Sequence, residues 1–511
     1  MLRNCAKETR CASSCLPTRS PSSSQPERRT MSARDFAGRT VAQHVEAFTS
    51  GTVSARDLIE GVLARVERAE PFNPIATLDA EGARAAADAL DARRRRGAGF
   101  GALAAVPVSA KDLILTKGLR TAFASLTMKD NVPAVDADAI GQWRAADAVL
   151  FAKTTTPEFG HKVLTDSRLH GVTRNPWNRA HTSGGSSGGA AVAVALGLGP
   201  IAMSTDGAGS GRIPAACCGI YGLKATLGRV PHEVAPDQFG QLTYLGVMAR
   251  HPTDLGAGLA SMSRGHRDDP WTAAIGRTPF AWPGESGGHP IAGKRITVIR
   301  RMTGGYLDPD TETRLDAALA FLDKNGASIK EMDGRDVDWK LDVARIILRA
   351  NQIERYADIR KNRRDDLDPS FARTLDEGDA VDAVMLRRAL ADRTTAYRSV
   401  QRLFADADLL LTPVVATPAP LASQDQFAPL VVDGKPLGDL RAAWYTYTIP
   451  FNMTGHPAIS IPFGRSTAGL PIGIQVVAPW YEEAHLIRLA EAFDAETGAS
   501  AAFPPGFAAG A

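Results

Sequence analysis

Cysteine is scarce in this sequence, and its placement argues against a disulfide-bonded protein. The 511 residues contain five cysteines, of which Cys217 and Cys218 are adjacent and the other three fall within the first 15 residues. Adjacent cysteines are poorly placed for an ordinary disulfide, and no matching set of His and Cys follows the early three. We therefore expect a reduced, cytoplasmic protein that holds no metal.

Long hydrophobic runs are also lacking. The longest apolar stretch, Ala190 to Met203, is interrupted by two glycines and a proline and is too short to cross a bilayer. Residues 1–34 are rich in Ser, Arg and Pro and lack the apolar centre of a secretory signal, so we interpret them as a disordered or non-native tail. Whether the native start is Met1 or Met31 stays open.

The sequence has no large excess of either charge. Its formal net charge is +3, from 59 Lys and Arg against 56 Asp and Glu, and residues 1–34 supply seven of the bases and two of the acids. The remainder is slightly acidic, whereas a surface that binds nucleic acid normally carries a positive excess. We expect a small-molecule substrate and no nucleic-acid or membrane partner, with a homodimer left open.

Alternating strand and helix patterns predict an α/β fold. Buried strands are predicted at 104–109, 148–153, 200–204, 408–412, 458–462 and 473–477. The stretch from about 284 to 402 is charge-rich and mostly helical, which predicts a variable helical cover over the sheet. Because no internal segment resembles a linker, we interpret 35–511 as one domain with its core at about 105–235.

Two Gly/Ser clusters stand in the middle of the chain. The first, GGSSGG, occupies 184–189, and the second, DGAGSGR, occupies 206–212. Glycine clusters bring backbone N–H groups close to a ligand, but no Gly-Lys-Ser/Thr follows as in a phosphate loop. A nucleophile elbow is open, since Gly-x-Ser-x-Gly occurs around Ser186 and Ser187. However, a polar segment precedes it and no Asp…His pair is evident downstream.

A second interpretation combines both clusters with an upstream lysine. Ser210 lies on a glycine turn after a predicted strand, where several N–H groups can converge on a substrate oxygen. Lys111 follows the apolar run VPVSA, and burial there would lower its pKa so that the neutral amine acts as a base. Ser186 would then bridge Lys111 and Ser210 by hydrogen bonds.

These residues, together with longer blocks, resemble the amidase signature family. The likeness runs from about residue 36 to the C-terminus and is strongest between Val106 and Pro231. The matching blocks are TTPEFG at 155–160, GVTRNPWN at 171–178, RIPA at 212–215, GLK at 222–224, PFNMTGHPA at 450–458 and GLPIGIQ at 469–475.

The resemblance implies a fold and a reaction. The fold is a central mixed, twisted β-sheet covered by helices on both faces. The reaction is amide hydrolysis through an acyl-enzyme by a Ser–cisSer–Lys triad, without metal or cofactor. Its nucleophile, bridging serine and base would be Ser210, Ser186 and Lys111.

The resemblance also assigns supporting groups around this triad. The oxyanion hole would be formed by the backbone N–H groups of Gly207, Ala208, Gly209 and Ser210. Apart from the resemblance, we expect structural support from Ser187 and from an ion pair between Asp206 and Arg212, with contact of these two side chains to the substrate as the alternative.

The chain departs from the family pattern at two positions. Ala208 replaces a usual glycine, and the oxyanion hole tolerates it only if that residue does not need a positive φ. Gly211 replaces a bulky apolar residue, which we expect to loosen the turn or widen the acyl pocket.

Other functions share parts of this pattern. The A subunit of a tRNA-dependent amidotransferase uses the same triad as a glutaminase, but usually has Gln where Ile213 stands. A Ser-His-Asp esterase and a catalytically dead ligand-binding homologue are further alternatives. The sequence does not indicate which amide is the substrate. We expect residues 284–402 and the loop 231–244 to shape the pocket that binds it. Structural roles are expected for Cys217, Cys218, Trp177, Tyr221, Lys224 and His456.

Overall fold

A mixed β-sheet of 11 strands forms the centre of the molecule. The structure is a computed structural model that describes residues 36–275, 280–283, 288–303, 305–432 and 434–508. The strands within these residues are β1 (Ile75–Leu78), β2 (Pro107–Lys111), β3 (Val149–Thr154), β4 (Asp166–Ser167), β5 (Gly171–Val172), β6 (Ile201–Asp206), β7 (Tyr221–Lys224), β8 (Tyr244–Ala249), β9 (Arg295–Val298), β10 (Ser328–Glu331), β11 (Leu409–Pro413), β12 (Pro429–Val432), β13 (Lys435–Asp439), β14 (Ala458–Arg465) and β15 (Pro471–Val477).

Fourteen α-helices are found in the same described ranges. They are α1 (Val41–Thr49), α2 (Ala55–Ala69), α3 (Ala80–Arg95), α4 (Asp138–Ala145), α5 (Gly188–Ala195), α6 (Arg212–Cys218), α7 (Pro252–Ala260), α8 (Pro309–Lys324), α9 (Leu341–Arg355), α10 (Ala357–Asn362), α11 (Pro369–Gly378), α12 (Ala383–Leu403), α13 (Leu440–Thr454) and α14 (Glu483–Thr497).

The central sheet has the strand order β1-β3-β2-β6-β8-β7-β14-β15-β11-β9-β10. Strands β3, β2 and β6 run parallel, as do β11, β9 and β10, while the strands between these groups pair antiparallel. Because β2 and β6 are parallel neighbours, their carboxyl ends meet at one edge. Ligands of open α/β sheets bind at such an edge.

Helices cover both faces of the sheet, as the family resemblance implied. One apolar cluster includes buried side chains of α4, α7, α8 and α14, and a second includes those of α2, α3, α5 and α6. Every residue of β2 and β6 is buried. Such continuously buried strands are typical of a sheet that is covered on both sides.

The six predicted strands lie within a few residues of the observed strands β2, β3, β6, β11, β14 and β15. The stretch 284–402 differs, since it contributes the strands β9 and β10 to the sheet edge in addition to helices α8 to α12. Strand β10 is short and carries charged side chains, so its sequence lacks the apolar pattern of a buried strand. The predicted tail, residues 1–34, lies outside the described residues.

No helix in the described ranges is both long enough and apolar enough to cross a membrane. The longest, α12, has 21 residues and carries charged side chains along its length.

Helix α5 packs closely against the backbone of Thr155, so we predict that Gly189 does not tolerate a larger side chain. A Cβ at Gly189 would lie 2.4 Å from the backbone nitrogen of Thr155, whereas one at Gly141 in α4 would meet nothing within 4 Å. We expect Gly189→Ala to lower the free energy of unfolding by about 1–3 kcal/mol, since overpacking forces backbone shifts. Gly141→Ala should be neutral or stabilising, because Ala favours helices. Equal melting temperatures of the two variants would contradict this prediction.

Candidate active site

Lys111 lies at the carboxyl end of β2, beside the carboxyl end of β6. Its side chain is fully buried, and Nζ donates to Ser186 Oγ at 2.6 Å and to Thr205 Oγ1 at 2.8 Å. Burial lowers the pKa of Lys111 well below its usual value, and the negative charge of Asp206 opposes this shift only in part. The amine is therefore biased towards its neutral, basic form.

The first Gly/Ser cluster forms the turn that leads into α5. The Gly185–Ser186 peptide bond is cis, and the Ser186 side chain contacts Lys111. The next residue, Ser187, donates from Oγ to the carbonyl of Thr205 at 3.1 Å and from its N–H to the carbonyl of Ser210 at 3.2 Å. Ser187 thus ties the first cluster to the second.

The second cluster is organised by the carboxylate of Asp206, the last residue of β6. Oδ1 accepts from the N–H of Gly209 at 2.7 Å, and Oδ2 accepts from the N–H groups of Gly211 and Arg212 at 3.2 and 3.3 Å. These three bonds fold residues 207–211 into a tight loop at the start of α6. Ser210 lies in this loop and is 6% exposed.

Arg212 forms a fully buried ion pair with Asp206. Its Nε donates to Oδ2 and one of its terminal nitrogens donates to Oδ1, both at 2.9 Å. Burial alone would raise the pKa of Asp206, but the charge and hydrogen bonds of Arg212, with a bond from Asn452, hold it below its usual range. Arg212 also donates to Gln475 and Asn452, at 2.6 Å each. The loop is therefore anchored to α13 and β15.

The backbone N–H groups of the second cluster are not equivalent. The N–H of Gly209 donates to Asp206, whereas the other three N–H groups expected in the oxyanion hole do not. In the described residues, those of Gly207, Ala208 and Ser210 donate to no acceptor. The carbonyls of Asp206 and Gly209 accept from Asn452 and Ile213. Because N–H and C=O point in opposite directions across a trans peptide, the N–H groups of Gly207 and Ser210 face away from those partners.

The two departures from the family pattern have different consequences. Ala208 does not have a positive φ, so its side chain is compatible with the loop. Gly209 does have one, at 114°, and a Cβ there would lie 2.3 Å from Thr448 Oγ1. A Cβ at Gly211 would lie 3.3 Å from both Asp206 Oδ2 and Ser204 Oγ. A side chain at Gly211 would therefore be crowded against β6, and the expected effect of the glycine on the turn and the acyl pocket stays a prediction.

Other residues singled out in the sequence have structural surroundings. His456 is stacked with Tyr397 and Phe404, and burial lowers its pKa to about 3. Among the described residues, no histidine forms a hydrogen bond with either cluster, so a Ser-His-Asp arrangement is not assembled there. Lys224 is fully buried, donates to the carbonyl of Ala225 at 2.9 Å and stacks over a tyrosine ring.

The remaining candidates also pack in the interior. Trp177 Nε1 donates to the carbonyl of Cys218, and the hydroxyl of Tyr221 donates to Asp494. Cys217 and Cys218 are buried and free, and burial raises the pKa of both thiols. Within the ranges that the structure describes, no group of His, Cys, Asp and Glu side chains could hold a metal ion.

Comparison with known proteins identifies the family. The profile of the family described as Amidase matches residues 57–487. The chain belongs to the amidase signature family. An acylamidase from Rhodococcus erythropolis is 31% identical over 449 residues, which cover 87% of this chain and 93% of that protein.

Further amidase signature relatives cover the chain almost end to end. The A subunit of glutamyl-tRNA(Gln) amidotransferase from Roseiflexus sp. (strain RS-1) is 33% identical over 485 residues, or 90% of this chain and 96% of that protein. The crystal structure of a bacterial aryl acylamidase superposes with a TM-score of 0.81 at 26% identity, covering 91% of this chain and 97% of that one. Its relatives thus include both hydrolases and amidotransferase subunits.

Several residues that contact Lys111 or hold the second cluster were not singled out in the sequence. Thr205 contacts the lysine, and Thr448, Asn452 and Gln475 hold the second cluster in place. Asn452 and Gln475 lie within sequence blocks that match the family, and this match could have identified them. Nothing in the residue pattern distinguished Thr205 or Thr448 from other buried threonines.

The buried ion pair predicts a large loss of stability on removal of one partner. We expect Arg212→Met to lower the free energy of unfolding by about 3–5 kcal/mol, because it leaves the Asp206 carboxylate buried without its counter-charge. The matched control is Arg335→Met, whose partner Asp333 is exposed and which should leave the melting temperature unchanged. Thermal melts of both variants test this, and a similar melting temperature for both would contradict it.

Proposed function

We propose that this protein is a stand-alone amide hydrolase with Ser210 as nucleophile, Ser186 as proton relay and Lys111 as base. The observation that carries the proposal is the contact between a fully buried lysine amine and Ser186 Oγ at 2.6 Å, at the edge where the nucleophile loop begins. A serine becomes an effective nucleophile only with a base that removes its proton. A neutral lysine is the base that this site offers.

The proposed reaction passes through an acyl-enzyme. Ser210 Oγ bonds to the amide carbon while its proton passes through Ser186 to Lys111. The tetrahedral intermediate collapses when the proton returns through Ser186 to the amide nitrogen, the C–N bond breaks and ammonia or an amine leaves. Water then attacks the acyl-enzyme by the same proton path and releases the carboxylate.

The developing oxyanion would be stabilised by backbone N–H groups. Those of Gly207, Ala208 and Ser210 are the candidates, because the Gly209 N–H already donates to Asp206 at 2.7 Å. Such preorganised donors typically contribute a large share of the rate enhancement in acyl transfer.

A glutaminase subunit of a tRNA-dependent amidotransferase is the second candidate, since such subunits occur among the relatives. Ile213 favours the stand-alone enzyme. That residue is fully buried next to the nucleophile loop, where the amidotransferase branch usually has Gln. Release of glutamate from glutamine, together with co-purified partner subunits, would support this alternative.

Replacing the nucleophile gives the first test of this function. Ser210→Ala should abolish turnover of primary amides and p-nitroanilides, and also covalent labelling by a fluorophosphonate, because the acyl bond cannot form. Ser187→Ala should retain labelling, since Ser187 is not the proposed nucleophile and its backbone bond to the carbonyl of Ser210 is kept. Mass spectrometry of the labelled peptide locates the modified serine. Labelling that persists in Ser210→Ala and is lost in Ser187→Ala would instead indicate a nucleophile elbow.

The role of Lys111 predicts a dependence on pH. Its pKa is lowered by burial, and the protonated form cannot accept a proton, so kcat/KM should fall as the pH falls through that pKa and level off above it. Lys224→Met removes another buried lysine and should leave the midpoint of this acid limb in place. A rate that stays constant far below neutral pH would exclude Lys111 as the base. If the acid limb of the pH profile disappeared in Lys224→Met, the group that titrates would be Lys224.

A further inference from the structure

Two buried arginine side chains, Arg65 and Arg250, meet at the carboxyl end of helix α5. Arg65 is 6% exposed and Arg250 is 3% exposed. Arg65 donates to the carbonyl of Leu196, from Nε at 3.2 Å and from Nη2 at 2.8 Å. Arg250 donates from Nη2 to the carbonyls of Val194 and Ala195. Cations are favoured at this end of a helix, where the last carbonyls have no helical partner, and here two of them share it.

The C-terminal segment contacts the same two arginines. Arg65 Nη2 also donates to the carbonyl of Phe507 at 2.7 Å, and Arg250 Nη1 donates to that of Ala502 at 2.8 Å. The ring centroid of Phe503 lies 3.7 Å from the guanidinium carbon of Arg250 and 5.8 Å from that of Arg65. Carbonyl dipoles and an aromatic face attract a cation but carry no full negative charge. The positive charge of the two guanidinium groups is thus compensated only in part.

Neither arginine forms an ion pair with a carboxylate of the described residues. The charge that acts on Arg250 is that of Arg65, and the charge that acts on Arg65 is that of Arg68, so both neighbours are positive. Burial, together with these like charges, lowers the pKa of Arg65 to about 10 and that of Arg250 to about 9, and both groups stay charged at neutral pH. Buried charges are normally paired, because an unpaired one loses its hydration without compensation.

Each guanidinium group also keeps one nitrogen that has no acceptor in the part of the chain that the structure describes. Arg65 binds carbonyls through Nε and Nη2, which leaves Nη1. Arg250 binds carbonyls through Nη1 and Nη2, which leaves Nε. Since arginine nitrogens only donate, the donors here outnumber the acceptors that the described chain supplies.

A small cavity adjoins both guanidinium groups. Arg65, Arg250, His44 and Pro200 are among the residues that line it, and the space open to the centre of a water-sized sphere is about 20 Å³. Such a space holds one water molecule or one ion of similar size. Among the described residues that line it there is no Asp or Glu. Burial lowers the pKa of His44 to about 4, so the charge around the cavity comes from the arginines.

We propose that this cavity binds one small monovalent anion, of the size of chloride, between Arg65 and Arg250. The anion supplies the counter-charge that two neighbouring buried cations require, and it accepts from a nitrogen that the carbonyls leave without a partner. The site lies at the far end of α5 from Ser186. The anion therefore stabilises the junction of α5 with the C-terminal segment and takes no part in the proposed hydrolysis.

The test measures the thermal stability of the full-length protein as chloride replaces gluconate at constant ionic strength. The exchange keeps charge screening unchanged, so a response reports binding of the ion. A ligand that binds only the native state should raise the melting temperature by about 1–2 °C for each tenfold increase in chloride above its Kd. A melting temperature that does not depend on chloride would overturn the proposal.

A pair of variants on helix α2 locates the response. Arg65→Gln removes one cation of the cavity and should abolish the dependence on chloride. The matched control is Arg68→Gln, because Arg68 is exposed, does not line the cavity and donates to the carbonyl of Gly506 in the same C-terminal segment. This variant should keep the dependence. An equal dependence in the two variants would overturn the assignment of the site.

Bromide provides a readout that needs no variant to fold. In crystals of the unaltered protein grown in sodium bromide, we expect an anomalous difference peak in the cavity, within hydrogen-bonding distance of Arg65. Density there without an anomalous signal would mean that the cavity holds water, and this would overturn the proposal. None of these outcomes depends on hydrolytic activity, so the proposed function stands or falls separately.

Discussion

The buried carboxylate of Asp206 is the group on which the architecture of the site depends. It ends β6, caps the start of α6 and accepts from three backbone N–H groups of the second Gly/Ser cluster. A short, glycine-rich loop would not hold one shape in isolation, because each fixed residue loses conformational entropy. Hydrogen bonds to a charged acceptor in a dry interior are strong enough to offset that loss.

The same carboxylate acts electrostatically on Lys111 and is paired with Arg212. Asp206 lies near Lys111, and its negative charge favours the protonated ammonium, which could not act as a base. Arg212 pairs with both carboxylate oxygens, and burial is the larger influence on the pKa of Lys111. The ion pair thus holds the loop, while burial keeps the lysine biased towards its neutral form. This explains why charges are buried here despite the large cost of desolvation.

The sequence was informative where function is local and uninformative where it depends on long-range packing. The two Gly/Ser clusters and Lys111 could be recognised from their residue types, their spacing and the family blocks. Arg65 and Arg250 could not, because their approach joins positions far apart in the chain and depends on how α5 ends. Likewise, the left-handed φ of Phe159 has no signature, since the residue type does not favour it. Strand β10 was missed because an exposed edge strand does not need an apolar pattern.

Helix α9 contacts both the second Gly/Ser cluster and the aromatic residue Phe159. Its first half places Val343, Ala344 and Ile347 against Ala208, and Tyr356 caps its last turn beside Phe159. A shift of this one helix would therefore change both sets of contacts together. Lys111, by contrast, lies on β2, and Ser186 and Ser210 lie in the loops just before α5 and α6, whose apolar side chains share one buried cluster. Because these three residues lie on elements other than α8 to α12, we expect the helical cover to vary without displacing Lys111, Ser186 or Ser210.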